Sequence, residues 1–187
     1  MLERTLLTGG GIAAGAAVIA ALPDIAGSQP SAKQDVEILN LALLIEYVQA
    51  GFYADALKRA KLTGELNEYA RTVGGHERAH VAYLRKALGN KARKAPKLDF
   101  GDDTSSPKNF TDSALKLEDL ATQAYNAAAP GLTKPALGAA ARIVSVEARH
   151  AAWIRSIAGV TPAPDASEPQ ITVKRAAETL NGSGYLK

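Results

Sequence analysis

Apolar residues recur three and four positions apart through four long stretches of this chain, the spacing that lines one face of an α-helix. In the first stretch Leu39, Leu41, Leu43, Leu44, Val48 and Phe52 form a broad apolar face. The pattern predicts a helix from about Asp35, a suitable N-cap, to about Leu62, with a turn at Thr63-Gly64. A second helix follows from about Glu65 to Leu88 and closes at Gly89, with Gly74-Gly75 inside it as a site of close packing or a local bulge. A third is expected to start near Thr111-Asp112-Ser113 and to stop before Pro130-Gly131. The fourth opens at Thr133 or Pro135 and ends at Gly159. The connection over 89–110 carries Pro96 and Pro107 and is too long for a tight hairpin; its polar, basic start reads as a solvated loop. Runs of β-branched residues are scarce, so the chain is read as all-α.

The remaining segments flank these two helix pairs. Residues 1–28 contain an apolar, glycine- and alanine-rich run from Leu6 to Leu22, too short and too rich in glycine for an ordinary membrane span. The run resembles an export signal; the alternative is an anchoring helix packed on the protein itself. Arg4-Thr5-Leu6-Leu7 resembles the second half of a twin-arginine motif, with Glu3 where the first arginine would stand. The expected location is therefore outside the cytoplasm, in the envelope or beyond. Residues 29–34 read as a linker, 35–159 as the helical domain, and 160–187 as a proline-rich tail with a short amphipathic helix over 171–180.

Composition narrows the chemistry. At 187 residues and 47% hydrophobic, the chain suffices for one domain with a real core. A formal charge of +3 is only mildly basic and does not call for a nucleic-acid partner. The absence of cysteine excludes disulfides, thiolate metal sites and cysteine catalysis.

What remains is a short motif that occurs twice, Glu77-Arg-Ala-His80 and Glu147-Ala-Arg-His150. A spacing of three puts carboxylate and imidazole on one helix face. Only three histidines are present, and with ten glutamates in the chain a Glu three before any given His arises by chance about once in 20. The surroundings repeat as well. His80-Val-Ala-Tyr83-Leu-Arg85 aligns with His150-Ala-Ala-Trp153-Ile-Arg155, and Glu46 precedes Tyr53 by the same seven residues that separate Glu118 from Tyr125. Such self-similarity marks a duplicated helix pair. Glu46 and Glu77 lie nearly equidistant from the Gly64 turn, as do Glu118 and Glu147 from Gly131, so each antiparallel pair brings a Glu level with a Glu-x-x-His. Arg78 and Arg149 are read as pairing with nearby carboxylates. His76 has Val146 as its counterpart and is not expected to be a ligand.

With these residues in place, 35–159 resembles the ferritin-like di-metal carboxylate superfamily, whose site takes one Glu from each of two helices and Glu-x-x-His from each of the other two. The site residues are similar to those of bacterioferritin- and rubrerythrin-type di-iron centres, and Leu-Ala-Leu-Leu-Ile-Glu-Tyr at 41–47 resembles the opening of an exported bacterial ferritin-like family. The resemblance implies a four-helix bundle with a long crossover and two divalent metal ions, iron first and manganese as the substitute. Glu77 and Glu147 would bridge the ions, Glu46 and Glu118 would be terminal ligands, and His80 and His150 would supply one nitrogen each. Tyr53, Tyr83, Tyr125 and Trp153 would sit beside the ligands. The implied activity is oxidation of Fe(II) by oxygen or peroxide. The alternatives are a di-manganese protein that disproportionates peroxide and a non-enzymatic exported binding module; a homo-oligomer fits any of them. No haem is expected, because the only methionine is Met1, and the basic charge argues against a mineral-storing cage.

Overall fold

Ser31 accepts a hydrogen bond from the Gln34 N–H at 3.2 Å and opens helix α1, Ala32–Arg59. The computed structural model describes residues 29–187, so the signal-like segment 1–28 lies outside the described residues. α1 starts three residues earlier than expected because Ser31, not Asp35, is its cap. Asp35 instead caps a different helix: its carboxylate accepts from the N–H and hydroxyl of Thr133 at 2.9 and 2.6 Å. Helix α2, Gly64–Leu88, ends at Gly89, whose φ of 57° suits glycine.

Helix α3, Pro107–Ala128, begins four residues before the expected Thr111. Ser106 caps it through Asn109 N–H at 3.2 Å, and Pro107 fills the first turn, where a missing N–H costs nothing. Helix α4, Lys134–Ile157, starts as expected, and helix α5, Val173–Gly182, closes the set. No strand occurs among the described residues; the only bridge joins Leu98 to Leu186.

The four long helices form a bundle in which α1 and α2 make one antiparallel pair and α3 and α4 the other. The N-terminus of α1 meets the C-terminus of α3, where Gln34 donates to the Gly131 carbonyl at 3.0 Å. The start of α2 meets the end of α4, where the Trp153 indole donates to Glu65 at 2.9 Å. Every helix therefore runs antiparallel to both of its neighbours, which requires the α2–α3 connection to travel the length of the bundle.

The side chains of that connection are largely exposed, as expected of a solvated loop, but its backbone is tied down. It is strapped along α1, which it covers. Asn40 bonds the backbone at Lys91 and Arg93, Tyr47 donates to the Arg93 carbonyl, and Arg59 donates to Thr104. Gly51 supplies the notch, since a Cβ there would lie 2.6 Å from Leu98 and 3.2 Å from Phe100. Covered by α2, α3 and the strap, α1 is buried without a break from Ile38 to Glu46. It is long and apolar enough to cross a membrane, the only such helix among the described residues, but here it is the core helix of the bundle. The C-terminal tail also joins the core. Val173, Ala176, Ala177 and Leu180 of α5 are buried, and Tyr185 packs on Phe52 and Phe100.

Gly74 and Gly75 produce no bulge; α2 is continuous through them. Gly74 allows close approach, because a Cβ at that position would lie 2.9 Å from Cβ of Tyr53 on α1. At Gly75 only the tip of Arg78 is near, at 3.8 Å. Gly74→Ala should therefore destabilise, with overpacking of about 1–3 kcal/mol exceeding the gain in helix propensity. Gly75→Ala should stabilise by about 0.5–1 kcal/mol. Urea unfolding of the two variants checks the opposite signs.

Candidate metal centre

One carboxylate from each long helix enters the same volume midway along the bundle. Glu46, Glu77, Glu118 and Glu147 have no solvent exposure, and His150 is buried beside them. His80 is the outermost of the six, with its side chain 12% exposed.

The two rings divide the carboxylates between them. His80 Nδ1 lies 3.3 Å from Glu46, 3.1 Å from Glu77 Oε2 and 3.0 Å from Glu147 Oε1. His150 Nδ1 lies 3.1 Å from Glu77 Oε1, 3.3 Å from Glu118 and 3.7 Å from Glu147 Oε2. Glu77 and Glu147 thus turn one oxygen toward each ring, whereas Glu46 serves only the His80 side and Glu118 only the His150 side. The result is two adjoining four-residue groups, Glu46-Glu77-His80-Glu147 and Glu77-Glu118-Glu147-His150, each with its donor atoms within 4.8 Å of one another.

These groups fit a metal ion. Glu77 Oε1, Glu118 Oε2, Glu147 Oε1 and His150 Nδ1 are buried and make no hydrogen bond among the described residues, although Glu77 Oε1 and Glu118 Oε2 lie within ion-pair distance of His150 Nδ1, and Glu147 Oε1 within that distance of His80 Nδ1. Buried polar atoms are ordinarily satisfied. Oxygen and nitrogen donors aimed at one another without hydrogen-bond geometry, and with no thiolate among them, match a borderline or hard divalent cation.

The remaining polar groups hold the carboxylates in place. Tyr125 donates to Glu46 at 2.6 Å, and Tyr53 donates to Glu118. Each tyrosine follows one unpaired Glu by two helical turns but bonds the other one, so α1 and α3 lock each other's ligands. Gln49 donates to Glu118 at 3.0 Å and to Glu147 at 3.4 Å, and Tyr69 bonds the Tyr53 hydroxyl at 3.0 Å. Neither Gln49 nor Tyr69 stood out in the sequence. The signal for Gln49 was a polar residue one turn after Glu46 on an apolar face.

Two readings need correction. Tyr83 is a surface residue, 41% exposed, and not a neighbour of the ligands. Its counterpart Trp153 donates to Glu65, meets the ring of Tyr69 at 5.3 Å and lines the same cleft as His80 and His150, without bonding a cluster carboxylate. Arg78 and Arg149 form no ion pair among the described residues; Arg149 instead lines a cleft between α2 and α4 with His76, Ala79, His80, Val146, His150 and Trp153. That cleft encloses about 330 Å³ and opens onto both ligand rings.

Burial pushes the Glu46 carboxyl well above its ordinary value of 4.5, and the charges of Glu147 and Glu77 push it further. Burial also lifts Glu118 to about 8, opposed by His150 and reinforced by Glu77 and Glu147. Glu77 goes the other way: burial would raise it, but His150 and His80 outweigh burial and hold it at about 2. Burial works against charge on the two imidazoles, and the carboxylates override it. Glu147, Glu46 and Glu77 lift His80 to about 12, and Glu118, Glu147 and Glu77 lift His150 to about 11. Burial and the nearby carboxylates hold Tyr53, Tyr69 and Tyr125 well above 10, so all three stay neutral hydrogen-bond donors. Without metal, the surroundings favour the protonated form of both rings and bias Glu46 and Glu118 toward theirs.

A helical bundle with a buried carboxylate–histidine cluster of this kind is a ferritin-like protein with a candidate metal centre. The family model of the ferritin-like domain matches residues 34–160, more than half of the chain, and the chain belongs to that family. No curated protein matches the chain.

The titration pattern fixes the direction of a pH effect. A group whose folded value is raised stabilises the fold below its unfolded value and loses that contribution as pH climbs through the folded value. For Glu118 the window runs from 4.5 to about 8; for His80 and His150 it opens at 6.5 and extends to about 12 and about 11. Glu77, held low, contributes above 4.5 and loses its contribution as pH falls toward 2. The melting temperature of metal-free protein should thus fall from pH 5 to pH 8. Divalent metal must displace protons from the rings and from the carboxyls whose values are raised, so binding should release protons and the stabilisation by metal should grow over the same range. Thermal melts across pH, with and without Co(II), and calorimetry in two buffers of different ionisation enthalpy read both quantities. A metal-free melting temperature that climbs from pH 5 to pH 8 would contradict the assignment.

Proposed function

We propose that this protein binds two Fe(II) ions in the bundle core and oxidises them, with oxygen or peroxide as the electron acceptor. The observation that carries this reading is the split orientation of Glu77 and Glu147, each with one oxygen toward His80 and the other toward His150. Two carboxylates disposed in this way suit two neighbouring cations sharing both as bridges, with Glu46 and Glu118 as terminal ligands and one ring nitrogen for each ion. Each Fe(II) gives up one electron; peroxide accepts two electrons and two protons and leaves as two waters.

The residues of the chain supply the setting. Four ionised carboxylates would balance the charge of two divalent ions, and anionic oxygen donors favour the more highly charged Fe(III) product. Tyr53 and Tyr125 stay protonated and hold Glu118 and Glu46 by hydrogen bonds, so neither carboxylate needs to reorient when a cation arrives. The α2–α4 cleft brings open volume to the His80 and His150 rings, a route for a small oxidant, while the crossover strap and α5 close the opposite side and the end of the bundle.

The test is anaerobic loading of metal-free protein with Fe(II), followed by oxygen or peroxide, with ferric absorbance as the readout. Glu77→Gln and Glu147→Gln each remove a bridging charge and should slow oxidation at least about 100-fold, the upper range for loss of a metal-site group. Tyr83→Phe, on the surface, should leave the rate unchanged. Oxidation by the Glu77→Gln variant at the native rate would overturn the proposal.

A further inference from the structure

The two halves of the metal centre are related by an internal repeat, but their surroundings differ at one position that bears directly on a ligand. His76 Nδ1 lies 2.8 Å from His150 Nε2. The ring centroids are 5.1 Å apart and the planes are inclined by 17°. A face-to-face stack would bring the centroids closer; this separation places the rings end to end near one plane, as in a linear hydrogen bond. In the other half Val146 occupies the corresponding position and offers no partner, and His80 Nε2 has none among the described residues.

The direction of the bond follows from the site. His150 turns Nδ1 toward the carboxylates, so its proton on Nε2 is the one donated, and His76 accepts through Nδ1 with its own proton on Nε2. This tautomer assignment holds whether His150 Nδ1 carries a proton or a metal ion. His76 sits in the exposed cleft beside Arg149. A ligating imidazole whose distal N–H is held by an acceptor is fixed in orientation and is a stronger donor to the metal. The carboxylates are oriented unequally as well. Glu118, on the His150 side, accepts from both Gln49 and Tyr53, whereas Glu46 accepts only from Tyr125 apart from its contact with His80.

We infer that His76 is a positioning residue for His150 and makes the two metal subsites unequal, with the Glu118–His150 subsite binding a divalent cation more tightly than the Glu46–His80 subsite. This inference rests on the two-ion reading of the centre. The bond is local to one ring, and His76 is exposed, so its replacement does not disturb the core.

Titration of the metal-free full chain with Co(II) alone, followed by calorimetry and by the visible spectrum, tests it. The native protein should bind in two steps separated by about tenfold or more. His76→Val, which copies the other repeat, should weaken the tight step by about 10–100-fold and leave the weak step and the metal-free melting temperature unchanged. His76→Asn, which keeps an acceptor at the end of a short side chain, should recover part of the loss, and Glu118→Ala should abolish the step that His76→Val weakens. Two native steps of equal strength, or a tight step indifferent to His76→Val, would overturn the inequality while leaving the two-ion reading intact. Failure of the native chain to bind Co(II) at either position would overturn both.

Discussion

Four carboxylates without solvent exposure share one small volume at the middle of this bundle, and most of the structure answers to that. Each buried ion carries an effective penalty of several kcal/mol, and repulsion between like charges adds to it. A domain is stable by only about 5–15 kcal/mol in all, so four unassisted carboxylates would unfold it. Relief comes from charge, protonation and hydrogen bonding together. Two imidazoles stand between the carboxylates, burial raises the carboxyls of Glu46 and Glu118 toward their neutral form, and three tyrosines and Gln49 surround them. The cluster is nevertheless left with buried donor atoms that make no hydrogen bond among the described residues, a set that a cation could complete.

The fold delivers this cluster through an approximate repeat. α1 and α3 match with an offset of 72 residues, α2 and α4 with an offset of 70, so Glu46 corresponds to Glu118 and Glu77 to Glu147. The symmetry extends outward: Arg85 donates to Tyr47 at 2.9 Å, and its counterpart Arg155 donates to Asp119 at 2.6 Å, the residues after Glu46 and Glu118. Departures from the repeat gather on one side. Gln49 faces Glu118 where Ala121 corresponds to it, Tyr69 supports Tyr53 where Ala139 corresponds, and His76 meets His150 where Val146 corresponds. The symmetric residues are the ones with donor atoms at the centre; the asymmetric ones adjust one half of it.

Much of this was legible in the sequence because helical periodicity and turn spacing are local. The Glu-x-x-His frames, and the similar distances of Glu46 and Glu77 from the Gly64 turn, were enough to bring six side chains together. Features that depend on packing between distant segments were not legible. Pro107 read as part of a loop because its cap, Ser106, lies in a run of serines that gives no periodic signal. The hold of the crossover on α1 was hidden because its polar residues outnumber Leu98 and Phe100, the two that reach α1 at Gly51. Tyr83 and Trp153 occupy matching positions in the repeat, but Trp153 lies level with the start of α2 and finds Tyr69 and Glu65, while Tyr83 faces solvent. His76 lacked a counterpart, and sequence symmetry alone therefore passed over a residue that touches a candidate ligand.

The central claim is that Glu77 and Glu147 bridge two cations, and anomalous diffraction from crystals loaded with Fe(II) without oxygen tests it most directly. The account predicts two peaks ~3.5–4 Å apart, each within bonding distance of one oxygen from Glu77 and one from Glu147, with His80 and His150 on separate ions. A single peak, or two peaks that share neither carboxylate, would contradict it.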